Sequence, residues 1–99
     1  MNAEAERAYK RADKELNQVY QELINLLSGA EREKVRTAQR SWIKSKESTC
    51  TREAGAYKGG SMYPMIYFNC LEDRTRKRTN KLRDLLSRQY EIEDAQSEE

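Results

Sequence analysis

Residues 9–27 read YKRADKELNQVYQELINLL, and this stretch decides the fold class. Its apolar side chains recur in steps of three and four residues, which places them on one face of an α-helix. They are Tyr9, Ala12, Leu16, Val19, Tyr20, Leu23 and Leu27. The spacing predicts a first helix over about residues 3–27. A helix of about 25 residues is too long to be stable on propensity alone, so its apolar face must dock on neighbours.

A second helical segment follows directly. Ser28 stands three residues before Glu31, the spacing of a capping box, which predicts a helix start at this point. The segment should end before Gly55, because Gly55 and the glycine pair at residues 59–60 mark a flexible loop. Its apolar stripe comprises Val35, Ala38, Trp42, Thr49 and Ala54, with Ile43 and Cys50 beside it.

A third helix is predicted to begin near residues 61–64, because proline is tolerated only in the first turn of a helix. Its stripe comprises Met65, Phe68, Leu71, Thr75, Leu82, Leu85, Leu86 and Gln89. The three segments predict an all-α fold, namely an elongated antiparallel three-helix hairpin or bundle.

Composition supports a single charged helical domain. The chain has 99 residues, of which 36% are charged, with only four Gly and one Pro. The low mean hydropathy of -1.11 raises disorder as an alternative, but the helical spacing of the apolar residues favours a folded chain. Acidic residues crowd the end of the sequence, so we expect a helical domain over residues 1–90 and a frayed acidic tail over residues 91–99.

The sequence gives little support for a membrane-spanning segment or for a catalytic site. No apolar run could cross a bilayer, and the first ten residues lack the apolar region and cleavage site of a signal peptide. We expect no anchor or signal peptide in this chain, which is compatible with an exported protein. The sequence contains no His, and two Cys alone cannot form a four-ligand zinc site, so we expect no catalytic site, metal or cofactor. Carboxylate pairs such as Glu72 and Asp73 are interpreted as solvated helix faces.

The two cysteines flank the predicted loop. Cys50 lies near the end of the second helix and Cys70 about two turns into the third, so an antiparallel turn brings them level. A disulfide is the expected use, and the alternative is a pair of buried reduced thiols in a cytosolic protein. The same register predicts Trp42 or Ile43 beside Arg78.

Basic residues are dense between positions 74 and 88, which raises the possibility of phosphate contacts. Acidic neighbours at Glu72, Asp73 and Asp84 dilute this charge. An ion-paired, solvated face is the favoured interpretation, and we expect no nucleic-acid partner.

Several motifs carry a family resemblance. VRTAQRSWI at residues 35–43, followed by Cys50, and GGSMYPMIY at residues 59–67, leading to Cys70, resemble the bacterial family of LprI-type lysozyme inhibitor N-terminal domains. The resemblance extends from about residue 12 to residue 85. It implies a helical, periplasmic, cell-envelope or secreted protein with Cys50 and Cys70 paired and a protein partner, lysozyme being the candidate. Family members commonly show Arg-Asp where this chain has Lys46 and Glu47. Many also carry a further Cys pair at the N-terminus, and Glu4 stands about where the second of those cysteines would fall.

The loop between the second and third helices is the candidate contact surface for that partner. Its candidate residues are Tyr57, Lys58, Ser61, Met62 and Tyr63. Tyrosine supplies rigid contact area, and Lys58 could approach the acidic residues of a glycosidase cleft. The alternative is that these side chains only cover the end of the bundle, in a structural or assembly module of the envelope without inhibitory activity.

Overall fold

A computed structural model describes the backbone of residues 2–97 and the side chains of residues 3–96. This part of the chain forms three α-helices, α1 (Asn2–Leu26), α2 (Gly29–Ala54) and α3 (Tyr63–Ser97), with a 3-10 turn at Gly55–Tyr57. No strand occurs within the described residues. The all-α prediction is confirmed, and all three helices begin within about two residues of the predicted positions.

The helices α1 and α3 run parallel along most of their length. The rings of Tyr9 and Phe68 lie 6.1 Å apart at one end, and Tyr90 donates a hydrogen bond to Glu22 at the other. This hydrogen bond raises the pKa of Tyr90, because the phenol donates to a carboxylate. The molecule measures 61 × 23 × 15 Å, which confirms the elongated bundle.

The main apolar core lies between α1 and α3. Its buried members are Leu16, Val19, Leu23, Leu82 and Leu86. Val35 and Trp42 of α2 are partly buried against this cluster. The predicted stripe of α1 is therefore confirmed. Leu85 was predicted to be buried but is 38% exposed, because α3 turns Leu82 and Leu86 toward α1 and leaves Leu85 on its flank.

The buried face of α2 differs from the predicted one. Ala38 and Ile43 are exposed, whereas Gln39 and Lys46 are buried, so the true face is displaced by one residue along part of the helix. Gln39 accepts a hydrogen bond of 3.0 Å from Arg78, whose guanidinium also lies 5.9 Å from the centre of the Trp42 ring. The register prediction for Trp42 is confirmed. Burial lowers the pKa of Arg78.

Lys46 is the most unusual buried residue of α2, since only 5% of it is exposed. Its ammonium donates a hydrogen bond of 2.9 Å to the Tyr9 hydroxyl on α1 and lies 5.0 Å from the centre of the Trp42 ring. A hydroxyl and an aromatic face both favour a cation, and together they replace part of its lost hydration. Lys46 therefore connects α2 to α1 through a polar contact, at a position where few apolar side chains pack between the two helices.

We expect the substitution Lys46→Glu to lower the free energy of unfolding by about 2 kcal/mol, because it buries a carboxylate against a π face. The substitution Lys46→Met should change it by less than about 1 kcal/mol, because a thioether of similar length fills the same space. Urea denaturation followed by circular dichroism measures both values. Equal losses in the two variants would show that the charge of Lys46 is irrelevant to stability.

The connection between α1 and α2 does not use the predicted capping box. Ser28 has the extended backbone of an N-cap, but its side chain makes no capping hydrogen bond. Gly29 has a φ of +55°, which departs from the helical backbone that a capping box requires after its first residue. The guanidinium of Arg32 instead donates to the carbonyl groups of Ile24 and Leu27 at 2.6 to 3.1 Å. Arg32 thereby caps the end of α1.

The third helix continues into the acidic end of the chain. Helix α3 continues to Ser97, so residues 91–97 are helical, while the side chains of Glu91 and Ile92 are exposed. Glu, Ala and Gln are good helix formers, which explains this extension. Residues 98 and 99 lie outside the described residues, and the domain limit at residue 90 remains a prediction.

Candidate functional site

The loop between α2 and α3 is a series of tight turns. The carbonyl groups of Gly55, Tyr57 and Gly60 accept hydrogen bonds from the backbone N–H groups of Lys58, Gly60 and Tyr63, at 3.2, 3.0 and 3.3 Å. Gly59 has a φ of +85°, a conformation that side chains other than glycine rarely adopt. The loop predicted to be flexible therefore has a defined hydrogen-bonded path.

Four of the five candidate residues lie around one shallow depression. Its volume is about 310 Å³, and its lining includes Tyr57, Lys58, Ser61 and Met62. Tyr57 is 43% exposed and Met62 is 49% exposed. An open depression of this kind does not enclose a small molecule, but it can receive a side chain from a protein surface.

The fifth candidate residue, Tyr63, belongs to an aromatic row that continues from the loop. Tyr63 stacks on Tyr67 with ring centres 5.9 Å apart and an angle of 7° between the rings. Tyr67 contacts Phe68 at 5.5 Å, and Phe68 contacts Tyr9 of α1. All four side chains are partly exposed. The candidate surface therefore extends beyond the loop onto the first two turns of α3.

Sequence analysis assigned Phe68 to the core and did not single out Tyr67 for any role. A signal was present, because MYPMIYF at residues 62–68 places seven apolar side chains in fewer than two helical turns. Such a run surrounds a helix and cannot face one neighbour. None of its side chains is fully buried.

The predicted disulfide is confirmed. Cys50 and Cys70 are bonded, with their Cα atoms 5.6 Å apart, and Cys50 is completely buried. Beside them Arg74 of α3 forms an ion pair of 2.9 Å with Glu53 of α2. The disulfide thus closes the segment that carries the loop and the start of the aromatic row.

The carboxylate pair that was interpreted as a solvated helix face forms surface ion pairs. Glu72 pairs with Arg76 and Asp73 pairs with Lys77, each at 2.9 Å. Within the described residues, no group of His, Cys, Asp or Glu side chains could hold a metal ion. No described helix is both long enough and apolar enough to span a bilayer.

The basic segment of α3 is largely neutralised, as its interpretation as an ion-paired face predicts. Arg83 forms an ion pair with Glu15 of α1, and Arg76 lies 3.8 Å from the same carboxylate. Together with the pairs made by Arg74 and Lys77, these contacts leave few free cations on this part of α3.

Comparisons with known proteins agree with the motifs and the fold. The profile of the family described as lysozyme inhibitor LprI matches residues 1–82. An uncharacterized protein of Rhizobium meliloti (strain 1021) is 31% identical over 99 residues, covering 87% of this chain and 71% of that protein. No solved structure matches the chain. The chain belongs to the lysozyme inhibitor LprI family.

Proposed function

We propose that this chain is a lysozyme-inhibitor-like binding protein of the bacterial envelope, located in the periplasm or secreted, and that it acts through the loop between α2 and α3. The observation that carries the proposal is the exposed group of Tyr57, Lys58 and Met62 on a loop closed by a disulfide. Family membership supports a protein partner, and the disulfide supports an oxidising compartment.

The loop has the chemistry of a small binding centre. Tyr57 offers a rigid ring with a polar end, and Met62 offers an adaptable apolar side chain. Lys58 lines the same depression. A glycosidase cleft carries a pair of carboxyl groups, so an ammonium group inserted there finds an opposite charge.

The lysozyme assay tests this proposal directly. Oxidised wild-type protein should inhibit muramidase activity, and Tyr57→Ala and Lys58→Glu should each weaken inhibition by about 10-fold or more, because both side chains lie at the proposed contact. Thermal unfolding should change little in either variant, because both residues are exposed. The control is Lys81→Glu, which makes the same charge change on exposed α3 and should alter inhibition by less than about 3-fold.

The outcomes separate the alternatives. Equal weakening by Lys58→Glu and Lys81→Glu would show that net charge, and not the loop, governs inhibition. A loss of thermal stability in Tyr57→Ala without any effect on inhibition would mean that the ring only covers the end of the bundle. Full lysozyme activity at high micromolar wild-type protein would remove the proposal for that enzyme.

Exposed apolar residues on α3 favour a second candidate function, a structural or assembly module. Leu85 and Ile92 are both exposed and lie seven residues apart, on one side of α3. Such positions can pack against a second copy of the chain. Sedimentation at increasing concentration tests this alternative, and Leu85→Glu should abolish any self-association that it detects.

A further inference from the structure

Helix α2 carries positive charges that have no ion-pair partner among the described residues. Lys34, Lys44 and Arg52 are exposed and have no hydrogen-bond or ion-pair partner among the described side chains. Arg40 is also exposed, and its one side-chain hydrogen bond within the described part of the chain is donated to the hydroxyl of Thr37. This is the reverse of α3, where the basic segment is denser but mostly ion-paired.

These cations share the outward side of α2, which we term the basic face. At 100° per residue, Lys34 and Arg52 project in the same direction from the helix axis. Lys44 projects about 80° away from them around the axis, and Arg40 about 120° away, at the edge of the face. The face extends over about 27 Å at 1.5 Å per residue. Among the described residues, two exposed carboxylates without an ion-pair partner flank this face. Glu31 lies about 60° from Lys34, and Glu47 lies about 20° from Arg40. Glu33 lies within the face but pairs with Arg36.

The side chains between the cations are short and polar. Thr37, Ser41, Ser48 and Thr51 are all exposed. A shallow depression is lined by Lys34, Thr37 and Ser41, together with Glu33, whose carboxylate pairs with Arg36. Hydroxyl groups can donate hydrogen bonds to phosphate oxygens, and short side chains let a flat surface approach the helix closely. The basic face therefore combines free cations, hydroxyl donors and little steric obstruction.

We propose that the basic face of α2 binds the surface of a membrane that contains anionic phospholipids. Four Lys or Arg residues on one helix face are enough for electrostatic attraction to such a surface. A nucleic-acid partner is less well matched, because this face carries no aromatic side chain on which bases could stack, and four charges over about 27 Å are sparse against one phosphate charge per ~1.7 Å of duplex.

This arrangement is compatible with protein binding by the loop. Trp42 and the buried residues Gln39 and Lys46 occupy the opposite side of α2, so lipid contact requires no change in the bundle. The loop lies at the end of α2, beyond Ala54. A chain lying with the basic face on a membrane would leave the depression at Tyr57 and Lys58 at the edge of the contact.

Vesicle sedimentation with the full oxidised chain tests the proposal. We expect binding to phosphatidylcholine vesicles containing about 30 mol% phosphatidylglycerol, no binding to pure phosphatidylcholine, and release at about 0.5 M NaCl, where charge interactions are screened. The triple variant Lys34→Gln, Lys44→Gln, Arg52→Gln should bind at least about 10-fold more weakly. The matched control Lys10→Gln, Arg76→Gln, Lys77→Gln removes three ion-paired cations and should lose less than about 3-fold.

Circular dichroism establishes that both triple variants fold. Equal losses in the two variants would overturn the proposal, since net charge alone would then explain binding. Absence of binding to the anionic vesicles would overturn it as well, and so would tighter binding to duplex DNA than to the vesicles at the same salt concentration. The test is independent of lysozyme inhibition.

Discussion

Replacing Leu82 with alanine is expected to lower the free energy of unfolding by about 3 to 4 kcal/mol. Leu82 has no exposed surface and lies in the cluster formed with Leu16, Val19, Leu23 and Leu86. Truncation of a fully buried leucine removes its transfer free energy and leaves a cavity that its neighbours fill only in part. A loss of this size is a large share of the stability of a small domain. Urea denaturation followed by far-ultraviolet circular dichroism measures it.

Leu85→Ala is the matched control, because it makes the same change three residues further along α3. Leu85 is 38% exposed, so we expect a loss below about 1 kcal/mol. Similar losses in the two variants would contradict the orientation of α3 against α1. A larger loss in Leu85→Ala than in Leu82→Ala would show that Leu85, and not Leu82, faces α1.

Removal of the Cys50–Cys70 disulfide is expected to lower the free energy of unfolding by about 3 kcal/mol. The bond closes a loop with a sequence separation of 20, and a cross-link of this span reduces the conformational entropy of the unfolded chain by about that amount. The double variant Cys50→Ala, Cys70→Ala should show the loss in urea denaturation. Dithiothreitol should produce a similar loss in the wild-type protein and none in the double variant.

Mass measurement under non-reducing conditions provides an independent check on the bond. The oxidised protein should be lighter than the reduced chain by two hydrogen atoms. Two free thiols in protein exposed to air would contradict both the pairing and the inference of an oxidising compartment. Reduction should also weaken lysozyme inhibition if the loop is the contact surface, because the bond holds α2 and α3 together where the loop begins and ends.

Local patterns in the sequence were sufficient for the helices and their order. Leu16, Val19 and Leu23 recur at helical spacing, Pro64 can stand only in a first helical turn, and Cys50 and Cys70 flank the single glycine-rich connection. Each of these signals depends on residues close together in the chain or on the steric properties of one residue type. Pro64 and the two cysteines also belong to the motifs that carried the family resemblance.

The loop was located correctly from composition, because glycines and aromatic residues interrupt the charged helices there. Its hydrogen-bonded path and its continuation through Tyr63 and Tyr67 could not be predicted in the same way. They depend on the direction of α3 relative to α1, because Tyr9 of α1 contacts Phe68 at the end of the aromatic row. That direction is a property of the packed bundle and has no local signal.

Only the tertiary structure decided which face of α2 is buried and which charges remain free. Burial of Gln39 and Lys46 is favourable because Arg78 and Tyr9 approach them from the other two helices, and a helix considered alone would place these polar groups in water. Arg74 and Arg83 of α3 likewise pair with carboxylates on α2 and α1, whereas Lys34 and Lys44 have no ion-pair partner among the described residues. Apolar periodicity is determined within one helix, but the partner of a polar or charged side chain is determined by residues distant in sequence.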